Sequence, residues 1–227
     1  MFFSCLAYLF GAFLLVLLVL APIRNGIPPE LAWHPIIEQR AYLISGVMLQ
    51  YATDHQGKYP TGKSSTEVFQ KLIDGSYASD NTIFYFPMKG KILPEDGQPL
   101  KPENVCFDVT SPVDSSASDD LPLVFSTGYK IDYAPGASAI ALNPPVRHWT
   151  DHWFEIFRPV PRVYSNDAII ISYKNNNVTF RSLFYTIHDG VSTDNPDNTI
   201  PNFMPANFDA QGKTYRQLTP DGEMSDH

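Results

Sequence analysis

The chain has 227 residues, 44% of them hydrophobic, and 24 acidic against 16 basic side chains give it a formal charge of −8. That length holds one domain of ordinary size plus an anchor, and two full domains would be crowded. The acidic balance without clustered Lys and Arg argues against a nucleic-acid partner, and two distant cysteines, Cys5 and Cys106, form no disulfide framework.

Phe2 to Leu20 carries no charge and is interrupted only by Ser4 and Gly11. At ~1.5 Å per residue such a helix crosses a ~30 Å hydrocarbon core, so residues 1–21 are expected to be a transmembrane anchor. Two alternatives fit less well. A cleaved signal peptide lacks its basic leader and would place Pro22 directly after the cleavage position at Ala21. A buried core helix would need surroundings more apolar than any other segment provides.

Residues 22–35 hold Pro22, Pro28, Pro29, Pro35 and Gly26, which predicts a stiff linker between the anchor and the rest of the chain. From Ile36 the pattern becomes helical. Ile37, Ala41, Ile44, Met48 and Tyr51 recur at spacings of four and three, with Leu43 and Val47 widening the stripe and Glu38, Gln39, Arg40 and Gln50 opposite. This is an amphipathic surface helix, stopped by a left-handed Gly57 and by Pro60. Ser64 and Glu67 have capping-box spacing ahead of a short helix whose Phe69, Leu72 and Ile73 share a face and which Gly75 closes.

Ile83 to Phe86 reads as a brief strand stopped by Pro87. Pro94 to Pro122 reads as a long loop containing one strand at Val105 to Val109. Leu121–Phe125 and Tyr129–Tyr133 flank Ser126-Thr127-Gly128 at hairpin spacing, and Ala139–Leu142 suggests a further strand. A second hairpin joins Ala168–Tyr173 to Val178–Leu183 through Lys174-Asn175-Asn176-Asn177. The expected body is therefore an α+β domain over residues 36–188, followed at 189–227 by a polar tail lying irregularly on it or mobile.

The order of membrane helix, amphipathic helix, short helix and antiparallel hairpins resembles the type IV pilin-like proteins, in particular the major pseudopilin of type II secretion. The residues that carry the resemblance are Tyr51-Ala52-Thr53-Asp54-His55-Gln56-Gly57-Lys58-Tyr59-Pro60 at the end of the long helix. Phe69, Leu72, Gly75, Tyr77, Asp80, Phe84 and Pro87 continue the pattern, and the hairpin Tyr173-Lys174-Asn175-Asn176-Asn177-Val178-Thr179-Phe180 resembles the family's late hairpin. Family members begin the apolar helix with a peptidase site of the Gly-Phe-x-x-x-Glu kind. Here Gly11-Ala12-Phe13 is followed by no acidic residue before Glu30. The resemblance implies a helix packed on an antiparallel sheet, a single-pass inner-membrane location with a periplasmic domain, and pilin-like subunits or secretion components as partners. It implies no catalysis and no cofactor other than calcium, which similar pseudopilins bind in a loop of the sheet region.

Residue chemistry adds few candidates. Asp108, Asp114, Asp119 and Asp120, and later Asp189, Asp194 and Asp197, lie in expected loops where oxygen ligands gather around calcium, although the spacing matches no EF-hand. His148 and His152 stand at i and i+4 but lack the further ligands a metal requires. Ser126, His188 and Asp189 form a triad only on paper, since Ser126 has no Gly-x-Ser-x-Gly context. Tyr129, Tyr133, Trp149, Trp153, Tyr164, Tyr173 and Tyr185 either pack in the core or present an aromatic face to a polysaccharide.

Overall fold

A computed structural model describes residues 33–143, 164, 168–182, 186–188, 191–193 and 198–224. The expected anchor Phe2–Leu20, the pair His148 and His152, Trp149, Trp153, Tyr185, Asp189, Asp194 and Asp197 lie outside the described residues. Among those that are described, no helix is long and apolar enough to cross a membrane.

The amphipathic helix α1 spans His34–Asp54. It starts inside the expected linker because Pro35 falls in its first turn, where a proline has no intrahelical hydrogen bond to lose and its fixed φ suits the helix. Ile37, Ala41, Ile44 and Met48 are wholly buried, as the stripe requires, and Tyr51 is half-buried at its edge. Val47 is half-buried, whereas Leu43 points to solvent. At 3.6 residues per turn, position 43 lies well off the line through 37, 41, 44 and 48. At its far end Gln56 and Gly57 both take positive φ (58° and 80°), and the Gly57 N–H reaches back to the Ala52 carbonyl at 2.8 Å. A Cβ on Gly57 would meet Ser115 Oγ at 2.5 Å, so glycine there meets both a backbone and a packing demand.

Helix α2, Ser65–Asp74, begins on Ser64, whose Oγ accepts the Glu67 N–H at 3.1 Å. Glu67 in turn accepts the Lys63 N–H at 2.9 Å, so the box closes one residue earlier than its usual reciprocal form. Val68, Phe69 and Leu72 are buried and Ile73 only half so. Gly75 caps the helix at φ −80°, and the left-handed residue is Ser76. The expected strand at 83–86 is instead a 3-10 turn, Asn81–Phe84, because the Asp80 side chain accepts the Thr82 N–H at 2.8 Å and closes a tight turn locally. Phe84 and Phe86 are both wholly buried, and the chain extends only from Tyr85.

The strands are β1 Phe107–Ser111, β2 Pro122–Ser126, β3 Tyr129–Ile131, β4 Ala139–Ala141, β5 Ala168–Tyr173, β6 Val178–Ser182, β7 Thr186–His188, β8 Val191–Thr193, β9 Thr199–Ile200, β10 Arg216–Thr219 and β11 Gly222–Glu223. The main sheet has the order β11-β10-β1-β2-β5-β6 and is antiparallel throughout, a second sheet is β3-β4-β9, and β7 pairs with β8. The fold is thus α+β with an antiparallel sheet. In β1, β2 and β5 every residue is buried, which requires both sheet faces to be covered. On one face α1 packs along β5, where Ser45 Oγ accepts the Ser172 hydroxyl at 2.7 Å and donates to Asn176 Oδ1, and Phe86 meets Phe107 edge to face at 5.3 Å. On the other, Phe203 packs against Phe125, and Gln217 ties β10 to β3.

Two expectations fail here. Leu121–Phe125 and Tyr129–Tyr133 do not form a hairpin, because β2 pairs with β1 and β5 while β3 pairs with β4 in the other sheet. Gly128, at φ 102°, turns the chain out of the first sheet, and its carbonyl accepts the Leu142 N–H at 2.9 Å. The tail from 189 is not an irregular appendage either. It supplies β9 and the interior strand β10, and buries Phe203, Met204, Phe208, Tyr215 and Leu218. Left-handed turns at Asn198, Asn202 and Gln211 break this segment into pieces too short to show a period. The hairpin β5–β6 forms as read, with Asn176 at φ 61° in its turn.

Candidate functional site

Helix α1 has two unlike faces. The inner one is the buried stripe. The outer one exposes Ile36, Tyr42, Leu43 and Leu49, with the uncharged Gln39, Gly46, Gln50 and Thr53 between them, while Glu38 and Arg40 flank it half-buried. Single exposed apolar residues are ordinary on a protein surface, but four on one helical face without an intervening charge form a strip. At Gly46 an added Cβ would meet nothing within 4 Å, so the backbone there is open to close approach.

Below the C-terminal end of α1 lies the loop 112–121, which holds Asp114, Asp119 and Asp120. The Tyr59 N–H donates to the Val113 carbonyl at 3.1 Å, and the Ser115 N–H donates to the Gly57 carbonyl at 2.8 Å, which seats the loop against the helix end. Asp119 is exposed and Asp114 half-exposed, and each is taken by a lysine from a distant element. Lys213 donates to Asp114 Oδ1 at 2.6 Å, and this contact is the main reason why the Asp114 carboxyl is held down to about 2. Lys174 donates to Asp119 Oδ1 at 3.0 Å and to the carbonyls of Ser115 and Ala117 at 3.0 and 2.6 Å. Lys174 lines a cleft of about 380 Å³ together with Leu49, Ala52, Thr53, Tyr59 and Asp119. A neighbouring cleft of about 470 Å³ lies on the far side of Tyr59, where His55 stacks on Tyr51 at 3.8 Å and Lys58 and Lys71 contribute ammonium groups.

Asp108 does not belong with these acids. It lies on β1 and is wholly buried, with Oδ2 accepting Gln217 Nε2 at 2.7 Å. Gln217 Nε2 also reaches the Tyr129 carbonyl at 2.6 Å, and its Oε1 accepts the Ile131 N–H at 3.1 Å. That last bond fixes the orientation of the amide, because only oxygen can accept from a backbone N–H. Burial pushes the Asp108 carboxyl up to about 7, against the opposing hydrogen bonds from Gln217 and Thr127. The four acids therefore do not converge, and among the described residues no three His, Cys, Asp or Glu side chains come together as metal ligands.

Ser126 is buried on β2 and its Oγ accepts the Ile170 N–H at 3.1 Å, a structural bond inside the sheet. Tyr129, Tyr164 and Tyr173 are buried and Tyr133 half-buried against the core, which places these tyrosines in the packing rather than on an exposed face. The residues missed in the sequence are Ser45, Gln217, Lys174 and Lys213. A serine on an otherwise apolar helical stripe was the available signal for the first, and nothing in local pattern distinguishes the others. No family model, curated protein or solved structure matches the chain.

Proposed function

We propose that this chain is a membrane-anchored, pilin-like structural or interaction protein, non-catalytic, whose periplasmic domain offers the outer face of α1 to neighbouring pilin-like subunits of a type II secretion or pilus-like assembly. The observation that carries this reading is the two-sidedness of α1. One face is spent on the antiparallel sheet, and the other keeps Ile36, Tyr42, Leu43 and Leu49 in the open. Each of these side chains is about half exposed, so covering one is worth roughly half of the ~1.5–3 kcal/mol of a full burial, and the four together support association once a partner covers them. The strip also lies on the helix nearest in sequence to the apolar stretch Phe2–Leu20, which would hold copies at a common height in a bilayer. Similarity to the pilin-like pattern in residues 51–60 and the α+β fold support the same reading.

The alternative is an anchored binding module for polysaccharide or calcium. It draws less support, because the tyrosines of the described sheet are buried and Asp114 and Asp119 are already paired with lysines. The test is cysteine crosslinking of full-length protein in membranes, with Leu43→Cys in a Cys5→Ser background. Adducts identified as two copies of the chain, or as the chain joined to another pilin-like subunit, are expected, and they should disappear when the cysteine is moved to Thr82 on the body. A strictly monomeric product at Leu43→Cys would remove the assembly reading.

A further inference from the structure

The geometry points to the turn 88–93, together with Phe180, as a surface by which the domain rests on a lipid bilayer bearing anionic headgroups. Ile92 and Leu93 are 61% and 55% exposed, the two most exposed large apolar side chains among the described residues. They stand side by side directly after Lys89 and Lys91, and their backbone is fixed. The Lys91 N–H closes a turn on the Met88 carbonyl at 3.0 Å, with Gly90 at φ 79°. The Ile92 N–H then donates to the Glu103 carbonyl at 2.8 Å, Asn104 Nδ2 donates to the Ile92 carbonyl at 3.0 Å, and Pro94 is buried behind the pair. A segment pinned on both sides keeps its apolar side chains in water until something covers them.

The turn lies at the end of the domain where α1 begins, the end to which the apolar stretch 2–20 is joined. Met88 bridges to Tyr164, and the Tyr164 ring stands edge-on to His34 in the first turn of α1 at 6.1 Å. Phe180, 47% exposed, packs against the same histidine at 5.1 Å, with Arg181 next to it on β6. Charge is sorted in the same sense. The chain is acidic overall, yet Lys89 and Lys91 adjoin the apolar pair. Glu95 and Asp96 come only after Pro94, where Asn81 Nδ2 holds the Glu95 carbonyl at 2.9 Å and draws the chain back to the 3-10 turn, and Glu103 is half-buried. Aliphatic side chains flanked by lysines suit the boundary of a bilayer, because the apolar groups enter it while the ammonium groups stay among the phosphates. Residues 22–32 span at most ~36 Å even when fully extended, so the anchor holds the domain at high local concentration over the bilayer, and a weak surface suffices to dock it.

This surface rests on the reading of residues 2–20 as an anchor but not on the subunit contact of the outer helix face, so a monomeric crosslinking product would leave it standing. The test uses full-length protein reconstituted in vesicles of phosphatidylcholine with phosphatidylglycerol. A nitrobenzoxadiazole label is placed at Leu93→Cys in a Cys5→Ser background, where the buried Cys106 stays unlabelled. Its emission should shift to the blue and be quenched by spin-labelled lipid. The same label at Asp120→Cys, exposed in the loop 112–121 at the other end of α1, should do neither. Lys89→Gln should lower the ratio of docked to undocked domain about fivefold, and phosphatidylcholine alone should lower it further. Ile92→Ser should lower it too while leaving Tm unchanged, since that side chain is exposed. Protein that floats with the vesicles but shows the same emission at 93 as at 120 would overturn the surface alone, whereas protein that does not float would remove the anchor and the surface with it. A label at 93 that turns blue yet escapes quenching by lipid would mean that protein covers the turn, and would overturn the assignment to a bilayer.

Discussion

Asp108 stands on a strand with its carboxyl shut away from water and with one amide as its main polar partner. Removing a charge from water without a counter-charge is costly, so the group keeps its proton and titrates near 7 rather than near 3.8. The consequence for stability has a definite sign. Between those two values the folded chain binds a proton that the unfolded chain has released, so the fold loses stability as pH rises through the interval and levels off above it. The full effect is on the order of 4 kcal/mol at ~1.4 kcal/mol per pH unit. Denaturant unfolding measured from about pH 4 to about pH 8 should show this decline, and Asp108→Asn should flatten it while keeping a neutral side chain beside Gln217. An unchanged slope in the variant would place the titration elsewhere. Asp114 acts at the acid end with the opposite sign, because its carboxyl is held low by Lys213, and its half-exposed position makes its share small. Asp108 falls within the strand read at Val105 to Val109 yet was grouped with the loop acids, and its burial against Gln217 was not legible in the sequence.

For helix α1, in contrast, much was legible, because a long amphipathic helix repeats its signal over many turns. Ile37, Ala41, Ile44 and Met48 are the buried stripe as read, and the stop at Gly57 follows from its positive φ and its contact with Ser115. What the repeat does not settle is where the buried sector ends, and Leu43 shows it. An apolar residue next to the stripe reads as core until the sheet is seen to cover only the other side. Neighbouring positions therefore separate the two faces experimentally. Ile44→Asp places an uncompensated charge against the sheet and should cost several kcal/mol, a large part of the 5–15 kcal/mol that holds an ordinary domain together. Leu43→Asp changes the same chemistry on the open face and should shift stability by about 0.5 kcal/mol or less. Urea midpoints decide the matter: equal losses in both variants would mean that the outer face is covered within the molecule, and no loss in Ile44→Asp would remove the packing role of the stripe.

At the scale of the whole molecule, some of the strands could be found but only one of their pairings. The hairpin β5–β6 was readable because its turn is local and its asparagines tolerate positive φ. The pairing of β1 with β10 was not, since it joins residues more than a hundred positions apart and β10 is a short strand in a polar stretch. That pairing makes the C-terminal segment structural. Val109 faces Leu218 across the ladder, Leu218 is wholly buried, and the Gln217 side chain bridges β10 to both Asp108 and β3. Ending the chain before Thr214 would turn β1 into an exposed edge, remove the buried Leu218 from opposite Val109, and leave Asp108 buried without its amide. Such a truncation is expected to lose cooperative thermal unfolding and to aggregate, whereas a chain ending at Met224 should melt within a few degrees of the intact protein. A tail that merely rests on the domain would allow both truncations to melt alike, so a cooperative transition in the shorter chain, at the temperature of the longer one, would show that β10 is dispensable to the sheet.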